Sequence, residues 1–187
     1  MRVISGKARG IALKTPDGML TRPTTDRVKE AMFSILQFDL PGASVLDLFG
    51  GTGQLGIEAI SRGANNAVFV DQRDEACKLI RENLKRTGMT ENAQVIRSDY
   101  IAYLKNCKNC FQIILLDPPY AEIFLENALK IITEIDILQS GGIIVAEYPV
   151  GKSLDLNFLK NFHLKEYKYG NTKLMVCRKM EFDDSHS

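Results

Sequence analysis

At 187 residues with 45% hydrophobic content, the chain is long enough to bury one sizeable core and needs neither disulfides nor a structural metal to fold. No stretch approaches the ~20 consecutive apolar residues of a membrane span, and the opening Met1-Arg2-Val3-Ile4-Ser5-Gly6-Lys7 has no apolar run like a signal peptide, so a cytoplasmic protein is expected. The net charge of +1 hides an asymmetry: residues 1–36 hold seven Lys/Arg against three Asp/Glu, while the remainder holds 17 basic and 20 acidic residues. A basic arm ahead of a slightly acidic body suits a polyanionic partner.

The first elements in chain order form a small unit. Arg2–Ser5 and Arg9–Lys14 read as the strands of a short hairpin, and Pro16-Asp17-Gly18 as a turn. A helix is predicted from Thr25, with Val28, Ala31, Met32, Ile35 and Leu36 at helical spacing on one buried face, and Arg27 and Glu30 off it. Pro41-Gly42 closes this segment.

From Ser44 onward, short β-rich runs alternate with amphipathic stretches of helix length, the pattern of an α/β protein with a parallel sheet covered on both faces. Strands are predicted at Ser44–Leu48, Ala67–Asp71, Gln94–Arg97, Phe111–Asp117, Gly142–Tyr148, His163–Tyr169 and Lys173–Arg178. Helices are predicted near Leu55–Arg62, Asp74–Thr87, Tyr100–Lys105, Ile123–Ile135 and Leu154–Asn161. Gly63 and Gly88 fall just past helix ends, where a left-handed residue is wanted. Only Gly170-Asn171 separates the last two strands, so the sheet should finish with an antiparallel edge strand in a tight hairpin. Three parts follow: a basic extension over 1–40, a catalytic domain over 41–180, and a frayed acidic tail over 181–187.

Two strand ends carry chemistry. Val45-Leu46-Asp47-Leu48-Phe49-Gly50-Gly51-Thr52-Gly53 is a strand running into a glycine-rich turn and then a helix. Glycine lets a backbone pass close to a ligand and reach φ values that other residues avoid. Gly51, Gly53 and Gly56 also fit the dinucleotide spacing, and Asp71 ends the next strand, placed to bind ribose hydroxyls. The glycines alone leave a nicotinamide cofactor and S-adenosylmethionine both open. Asp47 would repel a pyrophosphate but suits the ammonium group of a methionine moiety, directly or through water. Asp99 is placed either to accept from an adenine amine or to cap the helix that follows it.

The second strand end is Asp117-Pro118-Pro119-Tyr120. Each proline removes a backbone donor and locks φ, so the carboxylate and carbonyls form a fixed acceptor array. Such an array suits an exocyclic base amine, whose lone pair is delocalised into the ring. Hydrogen bonds to Asp117 and to the Pro118 carbonyl would localise that lone pair and take up developing positive charge, while Tyr120 stacks on the base. Taken alone, the tetrapeptide is also compatible with a Pro-rich turn leaving a strand.

Cys77, Cys107, Cys110 and Cys177 do not form a metal pattern. Cys107 and Cys110 have knuckle spacing, but no second pair follows and neither His163 nor His186 lies at a ligand-like interval. Reduced thiols and no metal are expected.

With these elements in order, the chain resembles the RsmD family of class I, S-adenosylmethionine-dependent methyltransferases, which modify the 2-amino group of a guanine in small-subunit (16S) ribosomal RNA. The resemblance rests on Arg22-Pro23-Thr24-Thr25-Asp26-Arg27-Val28-Lys29-Glu30, similar to that family's N-terminal motif, and on Asp117-Pro118-Pro119-Tyr120, which matches its catalytic one. The second motif is shared with DNA adenine methyltransferases. Gly50 stands where relatives usually carry Ala, and Asp71 where many carry Glu. The resemblance implies a Rossmann-like, seven-stranded sheet of order 3-2-1-4-5-7-6 and S-adenosylmethionine as cofactor. It also implies a basic arm that grips ribosomal RNA or the small ribosomal subunit, in a protein expected to act as a monomer. Asp117, Pro118, Pro119 and Tyr120 are the catalytic candidates. Asp47, Phe49, Gly50, Gly51, Gly53, Asp71 and Asp99 are the cofactor candidates, and Arg2, Lys7, Arg9, Arg22, Arg27 and Lys29 the RNA candidates. The rivals are a DNA adenine methyltransferase, against which the absence of room for a target-recognition domain weighs, a nicotinamide-dependent oxidoreductase, and a non-catalytic RNA binder.

Overall fold

The computed structural model describes residues 1–16, 26–119 and 121–181. Seven strands form one sheet in the order β3-β2-β1-β4-β5-β7-β6: β1 Ser44–Asp47, β2 Asn66–Asp71, β3 Ala93–Arg97, β4 Phe111–Leu116, β5 Leu138–Pro149, β6 Phe162–Tyr169 and β7 Thr172–Lys179. The first five pair in parallel. β7 runs antiparallel to both β5 and β6, so the sheet does end in an antiparallel hairpin, with the reversed strand one place in from the edge.

Side-chain alternation along the strands divides the apolar residues between two cores. Val45, Ile113, Leu115, Ile143 and Val145 face one core with helices α1 (Asp26–Ile35), α2 (Gln54–Ser61) and α3 (Asp74–Thr87). Leu46, Leu48, Ile114, Leu116, Ile144 and Ala146 face the other with α4 (Tyr100–Asn106) and α5 (Ala121–Ile135). The near-continuous apolar run of β4 is what a strand buried on both faces requires. Gly88 ends α3 at φ 68°, as its position predicted.

Two expected elements differ. No helix forms over 154–161, where the chain makes turns instead. The Asp155 side chain accepts from Asn157 N at 3.2 Å, and Glu126 accepts from Asp155 N at 3.3 Å. Leu154, Leu156 and Phe158 pack on the second core at every second position, a spacing that suits extended chain and not one face of a helix. The two N-terminal strands reduce to a single bridge between Arg2 and Ala12. The hairpin still closes on itself, with Val3 N donating to Ile11 O, Gly10 N to Val3 O and Leu13 N to Met1 O at 3.0, 2.9 and 3.0 Å, while Val3, Ala8 and Leu13 join the first core. α1 buries Val28 and Met32 as its spacing required, and Leu36 is buried just past its end. Asp17 and Gly18 of the expected turn, the motif residues from Arg22 to Thr25, and all of the tail after Glu181 lie outside the described residues.

Candidate active site

The strand order reverses direction of growth at β1, which pairs with β2 on one side and β4 on the other. Open α/β sheets bind ligands at the carboxyl ends of the strands beside such a switch point. A cavity of about 470 Å³ opens there, lined by the glycine turn, by Asp71, Ser98, Asp99 and Tyr100 on one side, and by Asp117, Pro118, Pro119, Glu147 and Tyr148 on the other. Its size suits a nucleoside-sized ligand with space for a second ring.

The turn after β1 is held from several sides. Gly50 N donates to Val70 O at 2.9 Å, and Gly53 N to Gly50 O at 2.7 Å. Gly51 and Gly53 have φ of 55° and 80°, a region that disfavours side chains. Gly53 is also the N-cap of α2 and has no side chain to offer. Asp47 supplies the missing acceptor from the strand below: its Oδ2 accepts from Gly56 N at 3.0 Å. Gly56 in turn lets α2 lie close on the sheet, since a Cβ there would sit 2.2 Å from Cε1 of buried Phe69.

Asp47 is 1% exposed. Burial lifts its carboxyl from an ordinary 3.8 to about 7; the Gly56 N–H opposes the shift, and the negative charges of Asp117 and Asp71 add to it. A cationic ligand group in the cavity would relieve both burial and repulsion, so the site fits the ammonium end of S-adenosylmethionine. Asp71 sits at the end of β2 as expected, but its carboxylate already accepts from Gly51 N at 3.0 Å and from Arg73 N, Nε and Nη2 at 2.9, 3.1 and 3.0 Å. Four hydrogen bonds fill a carboxylate's acceptor sites. These bonds outweigh the cost of partial burial and hold its pKa below the usual value. Asp71 can take ribose hydroxyls only when the half-exposed Arg73 side chain swings away.

Asp99 lines the cavity and caps α4, its Oδ1 accepting from Ile101 N at 2.9 Å and Ala102 N at 3.2 Å. The cap is formed, and the residue that forms it lies on the cavity wall. Phe49 faces Tyr100 and Phe124 with ring centroids 5.2 and 6.4 Å away, and all three line the cavity. Tyr100, Phe124, Glu147 and Tyr148 were not singled out from sequence. Strand register could have found the β5 pair, since Leu116 pairs with Ala146, and Glu147 and Tyr148 follow at the same strand exit as Asp117. At that corner Pro118 is buried and Pro119 exposed. Tyr120 lies outside the described residues.

Among the RNA candidates, Arg2, Lys7, Arg9 and Arg27 are exposed, and Arg22 lies outside the described residues. Lys29 is a correction. It is 1% exposed, its Nζ donates to Arg2 O at 2.7 Å and lies 3.7 Å from Glu58, so it cannot reach a phosphate from there. Burial pushes its pKa down while Glu58 works against that shift. Glu58, itself buried, also accepts from Ile4 N, Ser5 N and Arg62 Nε at 2.8, 3.0 and 2.7 Å. The charged helix motif thus pins the start of the arm to α2. The four cysteines are free thiols, and among the described residues no helix is long and apolar enough to cross a membrane.

The glycine turn and the Asp-Pro-Pro corner open into one cavity, and the match to known proteins spans both. A family model described as conserved hypothetical protein 95 matches residues 1–178. The chain belongs to that family, the RsmD methyltransferases. It is 44% identical over 182 residues, 96% of the chain and 99% of the relative, to YlbH of Bacillus subtilis, provisionally named an rRNA methyltransferase. It is 33% identical over 154 residues, 82% of the chain and 77% of the relative, to the ribosomal RNA small subunit methyltransferase D of Escherichia coli K12. Among solved structures, yhhF of E. coli, provisionally titled a methyltransferase, superposes with a TM-score of 0.85 at 28% identity, covering 97% of this chain and 99% of that one. The chain is accordingly a class I methyltransferase, and S-adenosylmethionine is its methyl donor.

Proposed function

We propose that this methyltransferase acts on the exocyclic 2-amino group of a guanine in small-subunit ribosomal RNA. The observation that carries the reading is that Asp117 and Pro118, at the exit of β4, share one cavity with the glycine turn at the exit of the adjacent β1. An amine held at the first can face a methyl group held at the second, the geometry a direct in-line transfer needs. The name of the E. coli relative and the exposed Arg2, Lys7, Arg9 and Arg27 support RNA as the acceptor.

S-adenosylmethionine supplies an electrophilic methyl on a sulfonium. Asp47 meets the ammonium, Asp71 the ribose once Arg73 releases it, and the Phe49, Tyr100 and Phe124 rings the apolar wall around the nucleoside. Asp117 and the Pro118 carbonyl accept the two amine hydrogens, localise the lone pair on nitrogen and stabilise the positive charge that develops there. Pro119 stiffens the corner, and Tyr120 packs on the base, which must leave any stack to enter. The nitrogen would gain the methyl as the carbon–sulfur bond breaks, with the bonding pair leaving on a neutral thioether, and would release one proton to solvent by way of the Asp117 carboxylate that holds it.

Methyl-labelled S-adenosylmethionine, incubated with the protein and, in separate reactions, small-subunit RNA either free or within the particle and duplex DNA, tests the reading once each nucleic acid is digested and its nucleosides identified by mass spectrometry. N2-methylguanosine is the expected product. Label appearing only as N6-methyladenine in DNA would transfer the assignment to the DNA-acting rival, and label in neither acceptor would leave a binder.

A further inference from the structure

Asn83 lies on α3, away from the reacting corner, and is completely buried. A buried amide is costly unless its partners are supplied, and this one takes them from two separate segments. Its Oδ1 accepts from Lys14 N at 2.7 Å, and its Nδ2 donates to Lys14 O at 3.1 Å and to Thr52 O at 2.9 Å. Lys14 belongs to the basic arm, and Thr52 to the glycine turn that lines the cavity. One turn earlier on the same helix face, Ile80 packs under that turn so closely that a Cβ at Gly50 or Gly53 would meet it at 2.9 or 3.2 Å. The arm meets Thr52 at its other end too, where the Thr52 hydroxyl donates to the Met1 sulfur at 3.4 Å.

We propose that Asn83 is a positioning residue that couples seating of the basic arm to loading of the cofactor. A cofactor lying against the glycine turn fixes the Thr52 carbonyl. That carbonyl fixes the orientation of the Asn83 amide, and the amide holds the backbone of Lys14 by both its donor and its acceptor. Linkage makes the effect reciprocal: whatever holds the arm down tightens the cofactor by the same factor. The coupling rests on the family's cofactor alone. Only its last consequence, an arm better set for RNA when the cofactor is bound, rests on the function proposed above.

Hydrogen exchange of the full chain, with and without S-adenosylhomocysteine as the probe, tests it. In the wild type the probe should slow exchange of amides in residues 3–14 by about fivefold or more, the low end of typical couplings. Asn83→Ala should still bind the probe and protect its glycine turn, yet lose the arm's response. Two variants on the exposed arm guard against misfolding of a core change: Lys14→Pro, which deletes the amide donor, should uncouple the arm, whereas Lys14→Ala, which keeps it, should not. An arm that ignores the probe in the wild type, or that responds equally in Asn83→Ala or Lys14→Pro, would overturn the proposal. RNA affinity measured in parallel keeps the readings apart, because failure to bind RNA would defeat the proposed function while leaving the exchange result intact.

Discussion

Replacing Asp47 with Asn should make the apoprotein more stable and the enzyme worse. The amide oxygen can still accept from Gly56 N, so the cap on α2 survives, but the buried charge is gone. Because the folded-state pKa of Asp47 is about 7 against an ordinary 3.8, the folded protein keeps a proton that the unfolded chain has lost anywhere between those values. Its contribution to stability is therefore greatest at the acid end, falls as pH rises toward 7 and is flat beyond. At about 1.4 kcal/mol per unit, the wild type should lose roughly 2 kcal/mol from this group between pH ~5.5 and pH ~8.5. The Asp47→Asn protein should not. Urea denaturation of both apoproteins at the two pH values reads the difference directly, since the other titrating groups largely cancel between them. Cofactor affinity at the higher pH should fall by roughly 10- to 100-fold, the worth of a charged hydrogen bond at about 1.5–3 kcal/mol, measured by calorimetry. Equal pH slopes for the two proteins, or unchanged affinity, would refute the assignment of a strained carboxylate held for a cationic ligand.

Three further outcomes follow from the same geometry. Asp117→Ala should bind S-adenosylmethionine within a few-fold of wild type while methyl transfer drops by about 10²–10³, the usual loss when one preorganised hydrogen-bonding group is removed from a transition state; parallel loss of both would make Asp117 a structural residue. Arg73→Ala should tighten the cofactor by about 1.4- to 5-fold, because an exposed ion pair worth about 0.2–1 kcal/mol no longer competes with the ribose for Asp71; weaker binding in calorimetry would show that Arg73 instead contacts the ligand. Gly56→Ala drives a methyl toward Phe69 and should cost about 1–3 kcal/mol of stability by thermal melting, with cofactor affinity falling alongside.

Much of the fold was legible because its signals are local. Five of the six residues of β4 are apolar and they cover both faces, α3 starts and stops where Asp74 and Gly88 say it should, and Gly170-Asn171 forces the last hairpin. The element that failed, at 154–161, failed for a local reason: the side chains that pack on the core there, Leu154, Leu156 and Phe158, recur every second residue, a period that no face of a helix has. The expected N-terminal hairpin pairs, but through one bridge and three backbone hydrogen bonds instead of two full strands. Gly6, in the connection between its arms, has φ 82°, and a Cβ there would overlap the Ser61 carbonyl, so that connection lies against α2. That contact joins residues 55 apart, and no pattern within the arm records it.

The candidate site divides along the same line. Asp47, Asp71, Asp99 and Asp117 were legible because strand exits in a parallel sheet gather at one end, and a residue's place in its strand fixes its height. What Asp47 and Asp71 do there was not legible, since that depends on partners brought by the fold: Asp47 caps a helix from the strand below, and Asp71 is saturated by Arg73 and Gly51. The cap at Asp99 was legible, because the helix it serves follows it directly in the chain. Lys29 shows the limit most sharply. As one charge in a basic arm it read as a phosphate contact, yet with Val28, Met32 and Phe33 buried around it its ammonium points into the molecule, where Glu58 awaits it. Net charge counts the positive groups of an arm but not their directions. Removing Lys29 should accordingly destabilise the fold by about 1.5–3 kcal/mol, the worth of a hydrogen bond from a charged group, because Arg2 O loses its buried donor while Glu58 keeps Arg62 and two backbone amides, and should do so before it alters any affinity for RNA.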